Sequence, residues 1–216
     1  MFRDRIDAGQ QLLRALPPLD PAETVIIALP RGGVPVAEVI AKGVGAPLDV
    51  VLVRKVGLPG QRELALAAVT NGDTPALTVN EDVARFAGLE TDRIWDLAKP
   101  ELETISRRRE QYLGGRGQEP VKGKTVVVVD DGIATGATMR ASLKHLRGRE
   151  VARLIVAVPV APGETVAALQ GEADEIICLE TPRHFHAVGL HYQVFDQVDD
   201  EEVIAALARA AGHTSG

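Results

Sequence analysis

The sequence predicts an α/β protein built on a doubly wound, mainly parallel β-sheet flanked by helices. Three observations carry that expectation. Four short runs are apolar without alternation: TVIIALP (24–30), LDVVLVRK (48–55), KTVVVVDD (124–131) and ARLIVAVPV (152–160). A strand with one wet face alternates polar and apolar residues, so continuous runs imply burial on both faces. Helical patterns separate the runs, which turns each connection into a right-handed crossover. Glycine-bearing or charged turns follow three of the runs, at the carboxyl ends of strands where open parallel sheets bind their ligands.

The elements follow in order. The first strand, 24–30, ends in Pro-Arg-Gly-Gly (30–33), and a helix is expected over 34–43. The second, 48–55, ends on Arg54 and Lys55; the segment after it, Gly57 to Glu63, has the glycine and proline content of a hinged lid. An amphipathic helix over 91–112, with Pro100 inside it, leads through the glycine-rich LGGRGQEP into the third strand. Helices at 137–147 and 163–170 bracket the fourth strand, and DDEEVIAALARA (200–211) closes the chain as a helix with acids in its first turn. At 216 residues these elements suit a single domain, 1–216.

Bulk composition narrows the function classes. Hydrophobic residues make up 45% and charged residues 25%, the balance of a soluble globular protein. A net charge of −6 argues against nucleic acid as a partner bound through bulk charge. The opening MFRDRIDAGQQLL alternates charges where a signal peptide needs an apolar run, and no run approaches the ~18 residues of a membrane span. The single cysteine, Cys178, excludes an intrachain disulfide framework and any multi-cysteine zinc site. A cytoplasmic protein with no membrane partner is expected.

The most informative stretch is DDGIATGATM (130–139). A loop of Gly132, Ala134, Thr135, Gly136, Ala137 and Thr138 between a strand and a helix can turn its N–H groups inward, while the helix N-terminus adds partial positive charge. That is an anion receptor, with Thr135 and Thr138 as hydroxyl donors. It lacks the lysine of a nucleoside triphosphate P-loop. Asp130 and Asp131 beside it make sense if the ligand carries a phosphate at one end and a sugar diol nearby. The acids would accept from vicinal hydroxyls, hold the water shell of Mg²⁺, and favour a cationic transition state at the anomeric carbon.

Val126–Met139 resembles the phosphoribosyl pyrophosphate (PRPP) motif of type I phosphoribosyltransferases: four apolar residues, two acids, then a loop ending in Thr-Gly-x-Thr. Arg31, Gly32 and Gly33 are similar to that family's pyrophosphate loop. VRKVGLPG, with Arg54 and Lys55, resembles a segment of adenine phosphoribosyltransferases, one residue shorter here. Glu63 is a candidate general acid or base. Ala134 stands where hypoxanthine-guanine enzymes carry an aspartate, so the loop is closest to the adenine type. TPRHFHAVGLHYQVF (181–195) is similar to the hood of 6-oxopurine enzymes, placing a small C-terminal hood at about 178–198 with Phe185 and Tyr192 as acceptor-stacking candidates. The whole chain looks most like predicted phosphoribosyltransferases whose acceptor is unassigned.

The resemblance implies a transferase of PRPP, magnesium and a small nitrogenous acceptor, releasing pyrophosphate, and a homodimer. A PRPP-binding regulatory protein without catalysis and a PRPP or phosphosugar hydrolase are the alternatives. His184, His186 and His191 lack acidic or cysteine partners at ligand spacing and read as hydrogen-bonding groups. Arg107–Arg109 reads as a solvated helix face. Cys178, in the apolar EIICLE, reads as an inert core thiol, and Trp95 and Phe86 as packing or dimer-contact residues.

Overall fold

A computed structural model of the chain describes residues 1–70 and 75–213. In chain order the elements are α1 (Arg5–Ala15), β1 (Thr24–Ala28), α2 (Gly33–Val44), β2 (Leu48–Val50), β3 (Val53–Leu58), β4 (Gln61–Thr70) and β5 (Ala76–Val79). There follow α3 (Glu81–Ala87), α4 (Thr91–Leu113), β6 (Thr125–Val129), α5 (Ala137–Gly148), β7 (Arg153–Val160), α6 (Gly163–Leu169), β8 (Glu175–Glu180) and α7 (Asp200–His213).

A five-stranded parallel sheet runs β2-β1-β6-β7-β8. Alternate residues of its central strands feed two separate cores, as uninterrupted apolarity demands. Ile26, Ala28, Val127, Val129, Ile155 and Ala157 pack with Val34, Ala37 and Ile40 of α2 and Val203 and Leu207 of α7. Val25, Ile27, Val126, Val128, Leu154 and Val156 face Met139, Leu143 and Leu146 of α5 and Leu169 of α6. The doubly wound parallel sheet expected from the sequence is therefore the observed one.

Two segments depart from expectation. The run 48–55 is not one strand. It leaves the parallel sheet at Val50 and enters a second, antiparallel sheet, β3-β4-β5, at Val53. The expected lid at 57–63 is the bend of a hairpin, with β3 and β4 joined through Pro59-Gly60 and register shifts on either side of Gly57. Helices α1 and α3 and strands β4, β5 and β8 carried no expectation.

The N-terminal segment and the hood lock together. Phe2 bridges Tyr192, giving its N–H to the His191 carbonyl (2.8 Å) and accepting from Gln193 N–H (2.9 Å). Asp4 caps α1 by accepting from Asp7 N–H, and Asp199 and Glu202 form a reciprocal capping pair at the start of α7. Arg109 is not a solvated residue. Its guanidinium donates to the buried Asp49 carboxylate (3.2 and 3.3 Å) and to the Val50 carbonyl (3.1 Å), fastening α4 to the edge of the sheet. Phe86 is 82% exposed and takes no part in packing. No helix among the described residues is long and apolar enough to cross a membrane.

Candidate functional site

Residues 130–138 leave the sheet between the ends of β1 and β7 and are clamped from behind. Ile133 N–H donates to the Val160 carbonyl (2.9 Å), and Thr165 Oγ1 donates to the Ala134 carbonyl (2.8 Å). Gly136 takes a left-handed conformation (φ 76°), and a Cβ there would meet Thr165 Cγ2 at 2.9 Å, so glycine satisfies both the turn and the close approach of α6. No side chain caps α5. Its first N–H groups are thus left to an outside acceptor, and Ala134, Thr135, Ala137 and Thr138 are exposed around them.

The two acids converge at one end of this turn. Asp130 Oδ1 accepts from Asp131 N–H (2.9 Å), and both carboxylates are half-buried. Burial pushes the Asp130 carboxyl well above the usual carboxylate range, and the neighbouring Asp131 charge pushes it further. Burial also raises Asp131, against the pull of Arg5. Sequence reasoning missed Arg5. Its Nε donates to Asp131 Oδ2 (2.8 Å), Nη1 donates to the Asp196 carbonyl (2.7 Å), and the guanidinium lies 4.0 Å from the Phe195 ring centroid. One guanidinium against two carboxylates leaves a site that favours hydroxyl donors or a cation. Asp130 and Asp131 are the oxygen donors able to hold a hard divalent ion here. Among the described residues no group of three or more His, Cys, Asp or Glu is arranged around a metal position. An ion held there would take the rest of its shell from water or other outside oxygens.

Residues 30–33 lie flat on the acids. A Cβ on Gly32 would fall within the Asp131 carboxylate, and one on Gly33 would stand 2.7 Å from the Val129 carbonyl. The glycines thus let the first loop approach the end of β6. The Pro30–Arg31 peptide is cis. Arg31 Nη1 lies 3.8 Å from Asp200 Oδ1, which also accepts from Tyr112 Oη (2.5 Å). Burial and that acid together raise the Tyr112 hydroxyl's pKa.

Arg54 and Lys55 do not converge. Successive residues of β3 point to opposite faces. Arg54 donates through Nε to Glu101 of α4 and borders a crevice of about 50 Å³ with Pro30, Arg108 and Thr138. Lys55 faces the other way, into a cleft of about 370 Å³ bordered by Ala137, Thr138 and Lys144. Glu63 is exposed on β4 and lines neither.

On the far side of the turn an open cleft of about 720 Å³ runs from Ala134 and Thr135 to the start of α6 and residues 181–186. Phe185 stands in it, half-buried and stacked on His191 (centroids 5.7 Å apart, planes at 10°). Tyr192 does not serve as an open stacking surface. It is 5% exposed, its ring packs between Phe2 (5.4 Å) and Phe195 (4.9 Å), and its hydroxyl donates to the Asp131 carbonyl (2.6 Å). Its place is behind the acid pair, holding that backbone.

Residues 10–193 match the phosphoribosyl transferase domain family model. Inferred phosphoribosyl transferases from two strains of Mycobacterium tuberculosis are 44% identical over 210 residues, covering 97% of this chain. The chain spans 47% of the length of those relatives. The crystal structure of TT1426 from Thermus thermophilus superposes with a TM-score of 0.83 at 42% identity, over 96% of this chain and 98% of that one. The chain belongs to the type I phosphoribosyltransferase family.

Proposed function

We propose that the protein is a magnesium-dependent transferase that moves the 5-phosphoribosyl group of PRPP to a ring nitrogen of a small heterocyclic acceptor and releases pyrophosphate. One observation carries the reading: an uncapped helix N-terminus and a half-buried, under-neutralised acid pair lie side by side on one turn. A sugar phosphate offers an anion to the first and hydroxyls to the second.

In this reading the amides of 134–138 and the Thr135 and Thr138 hydroxyls take the 5-phosphate. Asp130 and Asp131 accept from the ribose hydroxyls, and Arg5 and Tyr192 keep Asp131 in place. As the bond from the anomeric carbon to the pyrophosphate oxygen breaks, its electron pair leaves with pyrophosphate and positive charge grows on the sugar. The carboxylates beneath stabilise that charge. The acceptor nitrogen then bonds to the carbon and loses its proton. Arg31 and the loop at Gly32–Gly33 border the diphosphate. Arg54 and Lys55 reach it from opposite faces of β3, which requires Arg54 to let go of Glu101. Glu63 acts as acid or base only if the hairpin bends toward the turn. A magnesium ion held through water at Asp130 and Asp131 would screen the leaving pyrophosphate.

The experiment follows ³¹P signals of PRPP with magnesium, protein and a panel of bases. Pyrophosphate that appears only with a particular base supports transfer. Release without any base indicates a hydrolase, and binding without turnover indicates a PRPP-binding regulator.

A further inference from the structure

We infer that the acceptor is an anionic one: a planar nitrogen heterocycle carrying a carboxylate, stacked on Phe185 and held through that carboxylate by Arg183. The inference rests on the transferase reading above and names the substrate class of its second pocket.

The cleft beside Ala134 is placed for the acceptor, since it opens from the same turn that takes the sugar phosphate. Its one aromatic wall is rigid. Phe185 is stacked on His191, and His191 Nδ1 lies 3.4 Å from Glu180 Oε2, so the ring is backed on one face and meets the cleft with the other. A flat ligand is the natural occupant of such a surface.

The charges around that ring decide the class. Arg183, His184 and His186 line the cleft against a single acid, Glu164. Arg183 has no hydrogen-bond or ion-pair partner among the described residues. It is an exposed residue on the cleft wall, so its fork is open to a ligand, whereas Arg5, Arg31, Arg54, Arg109, Arg140, Arg147 and Arg153 are held by carboxylates. A guanidinium offers a planar fork of donors matched to a carboxylate, and the imidazoles beside it add N–H groups. Glu164, in the first turn of α6, is the one acid set against Arg183 and the two imidazoles in the cleft. From the turn itself Ala134 and Thr135 line the cleft, and neither carries a charge. No carboxylate there repels an anion or takes up a purine proton. A neutral, amine-bearing base would leave Arg183 unanswered, whereas a carboxylate satisfies it.

The test compares matched pairs that differ in the carboxylate: nicotinate with nicotinamide, and orotate with uracil, with adenine alongside. Binding is measured by calorimetry in the presence of ribose 5-phosphate, which fills the sugar-phosphate cradle without reacting, and the ³¹P line of that probe is followed in the same samples. In at least one pair the acid should bind roughly tenfold or more tightly than its neutral partner. Arg183→Gln should remove that preference while leaving ribose 5-phosphate binding unchanged, and Phe185→Leu should weaken both members of the pair together. Adenine or a neutral partner binding as tightly as the acids, no binding of either acid, or a preference that survives Arg183→Gln would each overturn the inference. Failure of ribose 5-phosphate to bind would instead strike the transferase reading, and is read from the phosphorus signal independently.

Discussion

Two of the chain's adjacent pairs of like charge, Asp130–Asp131 and Arg54–Lys55, are treated by the fold in opposite ways. The acids stand just past the end of β6, in a turn, where free dihedral angles let both carboxylates face the loop at Gly32–Gly33. The cations stand inside β3, where the pleat sends one toward Glu101 of α4 and the other toward α5. A pair of neighbours in sequence becomes a pair in space only where the backbone stops alternating. Burial makes the same contrast energetic. The acids are held close against their mutual repulsion, as sites are and stable surfaces are not, while each cation is free to make its own separate contact.

The largest test of that contrast removes the acids. Asp130→Asn combined with Asp131→Asn should lower PRPP turnover about 10²–10³-fold, with an unchanged far-ultraviolet circular dichroism spectrum, because charge stabilisation of the transition state is lost and the shape is kept. Each single variant should cost nearly as much as the double, a non-additivity expected of groups acting as a unit.

Next in size is the glycine that lets the first loop lie against the acids. Gly32→Ala places a methyl group within the Asp131 carboxylate. The expected cost is about 1–3 kcal/mol of stability from overpacking, read in denaturant melts, together with weaker PRPP binding.

A third test uses pH. The folded Asp130 carboxyl lies above its unfolded value, so its contribution to stability is present at acid pH and lost as pH rises through the folded pKa. Asp130→Asn should therefore raise the melting temperature at neutral pH and change it little in acid, where the native carboxyl is already protonated. A melting temperature that falls at neutral pH would show the Asp130 charge to be favourable in the fold.

The smallest expected effect belongs to the cations. In a double-mutant cycle of Arg54→Gln and Lys55→Gln, the coupling in PRPP affinity should stay within about 0.5 kcal/mol, because the two side chains share no protein partner and approach the diphosphate separately, from opposite faces of β3. Strong coupling would mean that substrate draws both to one place, erasing the contrast.

Most of the parallel sheet was legible in advance because its signal is local. Runs such as TVVVV are apolar at every position, and β1, β6 and β7 fall within two residues of the expected bounds. The second sheet was not legible. Nothing in LDVVLVRK marks the point where the chain changes sheets, and ELALAA in β4 is rich in helix formers that pairing with β3 and β5 holds extended. In the site, the acids and the phosphate turn could be read because they are contiguous. Arg5 could not, since its partner lies 126 residues away and a charged residue near the start of a helix is ordinary. Tyr192 was found as a residue and misjudged as a surface. Its ring is covered by Phe2, from the other end of the chain.

The most direct measurement is a titration of ¹⁵N-labelled protein with PRPP and magnesium, following backbone amides. The account predicts that the amides of residues 134–138 shift first and most, with Gly32 and Gly33 moving alongside them. Saturating PRPP that perturbed only the Lys55–Lys144 cleft, with the amides of 134–138 unmoved, would contradict it.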